Sequence, residues 1–309
     1  MRPLIRFPLR PLLVASGLVA SVSSPAPAAD FWKHWGDGRA ELNGYRLTQP
    51  RYGALRSGSA VLIFVTEDFS DERRVKAESR GRAPSGVYPV LKLNHLRQFQ
   101  TGVYDYSTMT SVFAQVAAAW PVRKISFSSQ DWCGQLWHQL LPASGRVEGI
   151  FHSYFEGEAD GRDELPLPEG GVFEDALPLL VRGLDGVPFL GEGESRSVPW
   201  LPSLLSRRLG HTRLSWGRAS LSRESGSREI TVPAGRFRAI VFREDVQGGA
   251  KTEWVVEQAW PHRLLRWSSD QGEEAVLLGS SRQPYWTQNG AGGEQFLSEL
   301  GLRPPTRLP

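Results

Sequence analysis

The sequence predicts a mainly β protein, with one large, curved antiparallel sheet or incomplete barrel and a short helical insert. Its 32 Gly, 22 Pro, 11 Trp, 7 Tyr and 14 Phe favour turns and aromatic-faced strands over helical bundles. Apolar and polar residues alternate along many short runs, and turn residues separate these runs. The regular alternation of strands and helices that is typical of a parallel sheet is missing from the pattern.

The first half of the chain reads as neighbouring antiparallel strands. Residues 41–49 and 59–69 predict a hairpin with a loop longer than two residues. Residues 87–116 predict two strands around the turn at Thr101-Gly102. The stretches 123–141 and 145–157 flank the turn residues PASG and predict another hairpin.

The character of the sequence changes after residue 157, where an acidic, Pro- and Gly-rich stretch predicts a surface connection. Residues 173–184 predict a helix, and a second, short helix is expected between Pro202 and Gly210. The sequence predicts a β-rich domain over 30–286 and a polar, Pro-rich tail over 287–309. The β-rich domain can be divided into two β halves, 30–157 and 210–286, which a loop and helix insert, 158–209, joins.

The amino terminus predicts a secretory signal peptide over residues 1–29. Three arginines are followed by a short apolar run and then by Ala26-Pro27-Ala28-Ala29, which is the layout of such a signal. The apolar run is shorter than the roughly 20 residues that a transmembrane helix needs. We therefore expect a protein of the periplasm or cell envelope with no membrane span after signal cleavage.

The charge balance argues against nucleic acid as a partner. The chain has 36 Lys and Arg against 33 Asp and Glu, and Arg2, Arg6 and Arg10 all lie in the predicted signal. The mature chain is therefore neutral by formal charge. A neutral protein lacks the broad positive field that drives non-specific binding to nucleic acids.

The chain has one cysteine, Cys133, which excludes an intramolecular disulfide. On a regular strand, Cys133 and His138 project to opposite faces because five residues separate them. This spacing favours a packed thiol beside Trp137. The alternative is a hydrolase that uses Cys133 with His138 or His152. It needs a bulge at Gly134 to bring the thiol within hydrogen-bond reach of an imidazole.

Metal and cofactor signals are weak. No pair of histidines has the spacing of a zinc motif. His138 and His152 lie on facing strands of a predicted hairpin, which permits a diagonal pair, but two unrelated surface imidazoles are the simpler interpretation. Glu156, Glu158 and Asp160 resemble the start of a calcium loop, but the twelfth position lacks the glutamate that such a loop requires. A solvated acidic loop is the simpler interpretation, and we expect no metal and no cofactor.

Aromatic residues are the best candidates for a binding site. If they line the concave side of a curved sheet, they form a groove for a lipid, another hydrophobic ligand or a peptide. If they face a covering helix, they are part of the core. The candidate ligand-binding residues are Trp132, Trp137, Tyr154, Trp254 and Trp267.

Two parts of the chain resemble known families. The first part consists of three stretches, GYRLTQPRYGALRSGSAVLIFVTEDFS, YPVLKLNHLRQFQTGVYDYSTMTSVF and QDWCGQLWHQL. Together they resemble uncharacterised exported bacterial proteins, some of which carry the label "septum formation inhibitor Maf". The S-x-S-x-R-R element of Maf proteins has only a partial counterpart, LLSRRL at 204–209, which lies in a different place. ITVPAGRFRAIVFRED followed by TEWVVEQAWPHRLLRW resembles the DUF3108 group of periplasmic proteins.

The second resemblance implies a LolA-like fold, an incomplete antiparallel barrel wrapped around helical elements, and it implies no catalytic residue. The function that we expect is that of an exported, non-catalytic envelope protein, which binds a hydrophobic ligand or a peptide on a curved sheet. The alternatives are the Cys133 hydrolase and a purely structural envelope protein.

Overall fold

The computed structural model describes residues 29–78 and 85–303. The predicted signal peptide therefore lies almost wholly outside the described residues. The described chain is mainly β, and its strands form one large, open antiparallel sheet, which confirms the predicted fold class.

The described residues form 17 strands, most of them in sequential hairpins. In chain order they are β1 (Ala40–Arg51), β2 (Ala54–Ser70), β3 (Val75–Lys76), β4 (Val87–Thr101), β5 (Tyr104–Gln115), β6 (Val122–Asp131), β7 (Gly134–Ala143), β8 (Arg146–Ser153), β9 (Asp160–Pro166), β10 (Val172–Phe173), β11 (Ser195–Leu201), β12 (Gly217–Arg223), β13 (Arg228–Val232), β14 (Gly235–Val246), β15 (Lys251–Glu257), β16 (Leu264–Ser269) and β17 (Glu274–Gln283).

The two β halves of the chain belong to the same sheet. On one side of β1, strands β2, β4, β5, β6, β7, β8 and β9 follow one another. On the other side, β1 pairs with β17, and β16, β15, β14, β12, β11 and β10 follow. Strands β9 and β10 are thus the two ends of the sheet, and no pairing joins them in the described ranges.

The predicted short helical insert is present, and it packs against the inner face of the sheet. A single 3-10 turn (Glu174–Ala176) leads into α2 (Leu177–Leu180), and α3 (Leu204–Gly210) follows β11. The helix expected over 173–184 is thus much shorter than predicted. The α3 prediction is confirmed, and its N-terminus is capped by the Ser203 side chain, which accepts a hydrogen bond from the Ser206 N–H.

One continuous apolar core joins the insert to the sheet. Leu177 and Leu204 of the insert are buried in the same cluster as Leu62, Leu93 and Trp200 of the strands. A short helix, α1 (Ala29–Trp35), adds Phe31 and Trp35 to this core, and both side chains are fully buried. The inner face of the sheet is therefore largely filled.

Three local predictions were wrong. Strands β1 and β2 are joined by the tight turn Tyr52-Gly53, where a longer loop was expected. A second tight turn, Trp132-Cys133, divides the stretch 123–141 into β6 and β7. The acidic stretch expected as a surface connection contains the edge strand β9.

The carboxyl-terminal segment packs on the outer face of the sheet. The 3-10 helical stretch Gly293–Leu300 contacts β1 and β17, and Leu300 is buried beside Ala40 and Leu42. This stretch lies within the range predicted as a polar tail. Among the described residues, no helix combines the length and the apolar character needed to cross a membrane.

Candidate functional site

A large cavity lies where the sheet fails to close. It is a cleft of about 910 Å³, and we call it the seam cleft. Its walls are five segments of the chain near the two free edges of the sheet. They are residues 118–123 and 142–144, residues 167–173, which lead from β9 to β10, and parts of 180–189 and 194–199.

Most side chains in the seam cleft are apolar. Val172, Phe173 and Val198 are buried in its floor, whereas Val187 stands exposed at its mouth. Five prolines also line it, and their fixed φ angles make the walls stiff. These prolines are Pro121, Pro142, Pro168, Pro188 and Pro199. A preformed, mostly apolar cleft of this size is typical of a site for a small hydrophobic ligand.

One wall of the seam cleft has an unusual backbone conformation. Ala119 and Trp120 both have left-handed φ angles, +62° and +47°, which residues other than glycine rarely adopt. The Trp120 ring is buried against Phe31, and this packing holds the turn in place. The Trp120 indole N–H is buried with no acceptor among the described residues. Strained backbone and unpaired polar atoms of this kind cluster at functional sites.

The two free edges beside the cleft are unsuited to pairing with another strand. Strand β10 covers only the last two residues of β11, and Pro199, just before them, has no N–H to donate. The outer positions of β9 carry the charged side chains of Asp160, Arg162 and Glu164, all of them exposed. Proline and charge on an edge strand oppose strand addition. The chemistry of the seam cleft therefore favours a compact ligand over an extended peptide.

A second, smaller pocket lies at the opposite end of the strands. It has a volume of about 430 Å³ and lies between the β1–β2 turn, helix α3 and the ends of β15 and β16. Glu174 and Glu273 line it together with the edges of Trp254 and Trp267. We call the group Glu174, Asp175, Glu244 and Glu273 the acidic cluster, since all four carboxyl groups lie at or behind this pocket.

Hydrogen bonds connect the acidic cluster to the insert and to the sheet. Glu174 accepts from the Ser203 N–H at 2.9 Å and Asp175 from the Leu204 N–H at 3.0 Å, so both carboxyl groups cap the N-terminus of α3. Glu273 accepts from Arg97 Nη1 at 2.8 Å. These contacts fix the helical insert inside the sheet.

Burial changes the proton affinity of the cluster. It raises the pKa of Asp175 to about 7 and the pKa of Glu244 to about 8, and for Glu244 the negative charge of Glu174 adds to the effect. Burial also raises the pKa of Glu174, against the lowering effect of its hydrogen bond from Ser203. Sequence reasoning missed this cluster because its members come from distant parts of a chain with 33 acidic residues.

Of the five predicted aromatic ligand-binding residues, two lie together. The rings of Trp254 and Trp267 are stacked, with 6.2 Å between their centroids and 21° between their planes. Their indole N–H groups donate to Glu244 at 2.9 Å and to Glu273 at 2.7 Å. Both rings are nearly fully buried, so they form a wall of the core beside the smaller pocket.

The other three candidates lie elsewhere. Trp132 is in the β6–β7 turn with 73% of its surface exposed, and Tyr154, just after β8, is 65% exposed. Trp137 is half-buried and stacks on the His152 ring at 5.9 Å. The structure therefore does not bring the five residues together in one groove, and none of them lines the seam cleft.

The sole cysteine is not packed in the core, so the expectation of a buried thiol beside Trp137 was wrong. Cys133 is exposed because it lies in the tight β6–β7 turn, where Asp131 Oδ1 accepts from the Cys133 N–H at 2.8 Å. In the described part of the chain, no hydrogen bond joins the thiol to His138 or to His152.

The two histidines themselves lie on opposite faces of the sheet and form no diagonal pair, but His138 is buried, so the interpretation as two surface imidazoles was wrong for His138. His138 pairs with Phe151 across the β7–β8 ladder, one position away from His152. Its buried ring has Nε2 2.7 Å from Asp163 Oδ2. His152 is on the exposed face, with Nδ1 2.7 Å from Asp160 Oδ1.

The acidic loop that resembled a calcium loop forms other contacts. Glu158 Oε2 accepts from the Ser153 hydroxyl, and Glu158 Oε1 lies 2.7 Å from His211 Nδ1. Within residues 29–78 and 85–303, no group of three or more His, Cys, Asp or Glu side chains has the geometry of a metal site.

Comparison with known proteins gives no functional assignment. No family model matches the chain, and no curated protein matches it. The chain is similar to the crystal structure of a beta-barrel-like protein of the domain of unknown function DUF1849 from Brucella abortus. The two share 8% identity and a TM-score of 0.46, over 79% of this chain and 97% of that chain. A similarity of this size carries no inference about ligand or activity.

Proposed function

We propose that this protein is an exported envelope protein that binds a small hydrophobic ligand, such as an acyl chain, in the seam cleft. The observation that carries the proposal is the cleft itself, which has about 910 Å³ of space and mostly apolar walls. Its volume lies in the range of roughly 300–1,000 Å³ that is usual for small-molecule sites. The export signal and the envelope location remain sequence-based predictions.

Three features support a small ligand. The five prolines and the packed Trp120 turn make the cleft a preformed space, which lowers the entropic cost of binding. Pro199 and the charged strand β9 oppose strand addition by a peptide. The rim is charged, with Arg123, Arg196 and Glu194 beside the apolar floor, so an amphipathic ligand can keep a polar end in water.

The test is to fill the cleft. Ala118 lines it, is half-buried and lies outside the strands, so Ala118→Trp places an indole in the cavity. The matched control is Ala291→Trp, which adds the same ring at an exposed loop position. Binding of a dansyl-labelled undecanoic acid is followed by its fluorescence, and native mass spectrometry of envelope-purified protein identifies a bound lipid.

We expect wild type and Ala291→Trp to bind the probe alike, and Ala118→Trp to bind at least tenfold more weakly. Equal binding by all three proteins, or no binding by wild type, would contradict the proposal. The Cys133 hydrolase receives no support from the described contacts, because the thiol and both imidazoles have separate surroundings.

A further inference from the structure

One end of the sheet displays a row of large apolar side chains. These residues lie at or beside four successive turns, at the end of the strands opposite the seam cleft. They are five of the twelve large apolar side chains that are exposed among the described residues. We call them the tip row, which consists of Tyr52 (57% exposed), Leu55 (63%), Val103 (78%), Trp132 (73%) and Tyr154 (65%).

Apolar residues at such turns need an explanation. Tight turns favour Gly, Asn, Asp, Ser and Pro, which adopt turn conformations at low cost or bond to their own backbone. Tyr52 instead takes a left-handed φ of +54° at the β1–β2 turn. Trp132 lies in a tight turn, and most of its side chain is exposed to solvent. Most of the surface of both rings stays exposed in the folded protein, so it is available for an outside partner.

The turns are held in a fixed arrangement. The Tyr52 and Tyr106 hydroxyl groups lie 2.8 Å apart, and the Tyr104 hydroxyl donates to Tyr52 at 3.3 Å, so the first two turns are tied together. The Tyr154 ring packs over Gly134, which leaves no room for a Cβ there and ties the last two turns together. The tip row is therefore preorganised.

The spacing of the row differs from that of a protein-binding groove. The four turns belong to neighbouring strand pairs, in the order β1–β2, β4–β5, β6–β7 and β8–β9. Adjacent strands lie about 5 Å apart, so successive turns are separated by roughly 10 Å. Single side chains that project at such intervals can each insert into a deformable surface, whereas a concave groove on another protein would need them close together.

Charge gives the row no strong field of one sign. Arg208 Nη2 lies 3.2 Å from Asp131 Oδ2, and Glu158 is paired with His211. Arg51 is held by the hydroxyl groups of Tyr52 and Tyr106. Attraction to this end therefore depends on apolar and aromatic contact.

We propose that the tip row inserts into the headgroup region of a lipid bilayer, so that the protein docks on a membrane surface with the seam cleft facing the water. Trp and Tyr are the side chains that prefer this region, because their rings are apolar while the indole N–H and phenol O–H form hydrogen bonds. Leu55 and Val103 add apolar area beside them. The proposal is independent of what the seam cleft binds.

The test is flotation of the mature protein, without the predicted signal, on phosphatidylcholine vesicles. The tip variant combines Leu55→Ser, Val103→Ser and Trp132→Ser. The matched control combines Met109→Ser, Val75→Ser and Trp286→Ser, which remove three exposed apolar side chains elsewhere. Circular dichroism confirms that both variants are folded.

We expect wild type and the control variant to float with the vesicles at both low and high salt, and the tip variant to lose at least tenfold in partitioning. Brominated phosphatidylcholine should quench the fluorescence of wild type more than that of Trp132→Phe. Equal flotation of wild type and the tip variant would overturn the proposal. Failure of wild type to float, or association that appears only when a second protein is added, would overturn it as well.

Discussion

Arg182 and Glu41 form a buried ion pair that joins the helical insert to strand β1. Arg182 Nη1 lies 2.9 Å from Glu41 Oε1, and Nη2 donates to Oε2 at 3.0 Å. The guanidinium also donates to the backbone carbonyls of Pro261 and His262, and it lies over the Phe64 ring at 4.3 Å. A single side chain thus connects the insert, the first strand and the loop before β16.

Removal of Arg182 should destabilise the protein strongly. Arg182→Met leaves the Glu41 carboxylate buried without its cation, and we expect a loss of about 3–5 kcal/mol in the free energy of unfolding. Urea unfolding followed by tryptophan fluorescence measures this loss. The double variant Arg182→Met with Glu41→Leu should recover much of it, because no charge then remains buried. A single variant as stable as wild type would contradict this role.

The acidic cluster should make stability depend on pH. Glu244 and Asp175 have raised pKa values in the folded protein, about 8 and about 7, so the folded state holds protons that the unfolded chain has released above about pH 5. Their contribution to the free energy of unfolding is therefore largest at low pH and is lost as the pH rises through 7 to 8.

Glu244→Gln tests this dependence, since glutamine keeps an acceptor for the Trp254 N–H but carries no charge. We expect the variant to be more stable than wild type at pH 9 by on the order of 1–3 kcal/mol and nearly equal to it at pH 5. Glu229→Gln, at an exposed position, is the control and should not change the profile. Parallel pH profiles for Glu244→Gln and wild type would refute the prediction.

The carboxyl-terminal segment should depend on Gly44 for its place on the sheet. A Cβ at this position would overlap the Leu300 carbonyl and side chain. We expect Gly44→Ala to cost about 1–3 kcal/mol and to expose residues 293–300 to protease. The control is Gly157→Ala, whose Cβ would meet open space. Unchanged cleavage of residues 293–300 in Gly44→Ala would show that the segment tolerates the methyl group.

The Cys133 thiol should react in the folded protein. Because Cys133 is exposed at the β6–β7 turn, N-ethylmaleimide should modify it at a rate close to that measured in urea. Mass spectrometry of native and denatured samples follows the reaction. Modification that requires denaturation would contradict the turn conformation, and a native rate far above the denatured one would indicate an activated thiol.

Hairpins with strong turn signals could be predicted from the sequence. A turn was expected at Thr101-Gly102, and the turn between β4, which ends at Thr101, and β5 begins at Gly102. The weak turn at Trp132-Cys133 was missed because neither residue is a typical turn former. Its signal is the pair Asp131 and Gly134, in which the aspartate side chain accepts from the backbone N–H groups that follow it.

The candidate sites depend on contacts that no local pattern contains. Strand β9 looked like a loop because edge strands carry the same charged and proline residues that loops do. The seam cleft and the acidic cluster each combine segments that are far apart in the chain. Of the elements around these sites, only α3 was predicted with nearly correct bounds, with Ser203 before it and Gly210 at its end.

The gap between β9 and β10 also affects what holds the molecule together. Elsewhere around the sheet, separating two strands breaks a ladder of backbone hydrogen bonds, whereas separating these two edges breaks none among the described residues. Only residues 167–171 connect the edges directly. At this one place the ring of strands is therefore held by side-chain packing and by the connecting segment, whereas backbone ladders hold it everywhere else.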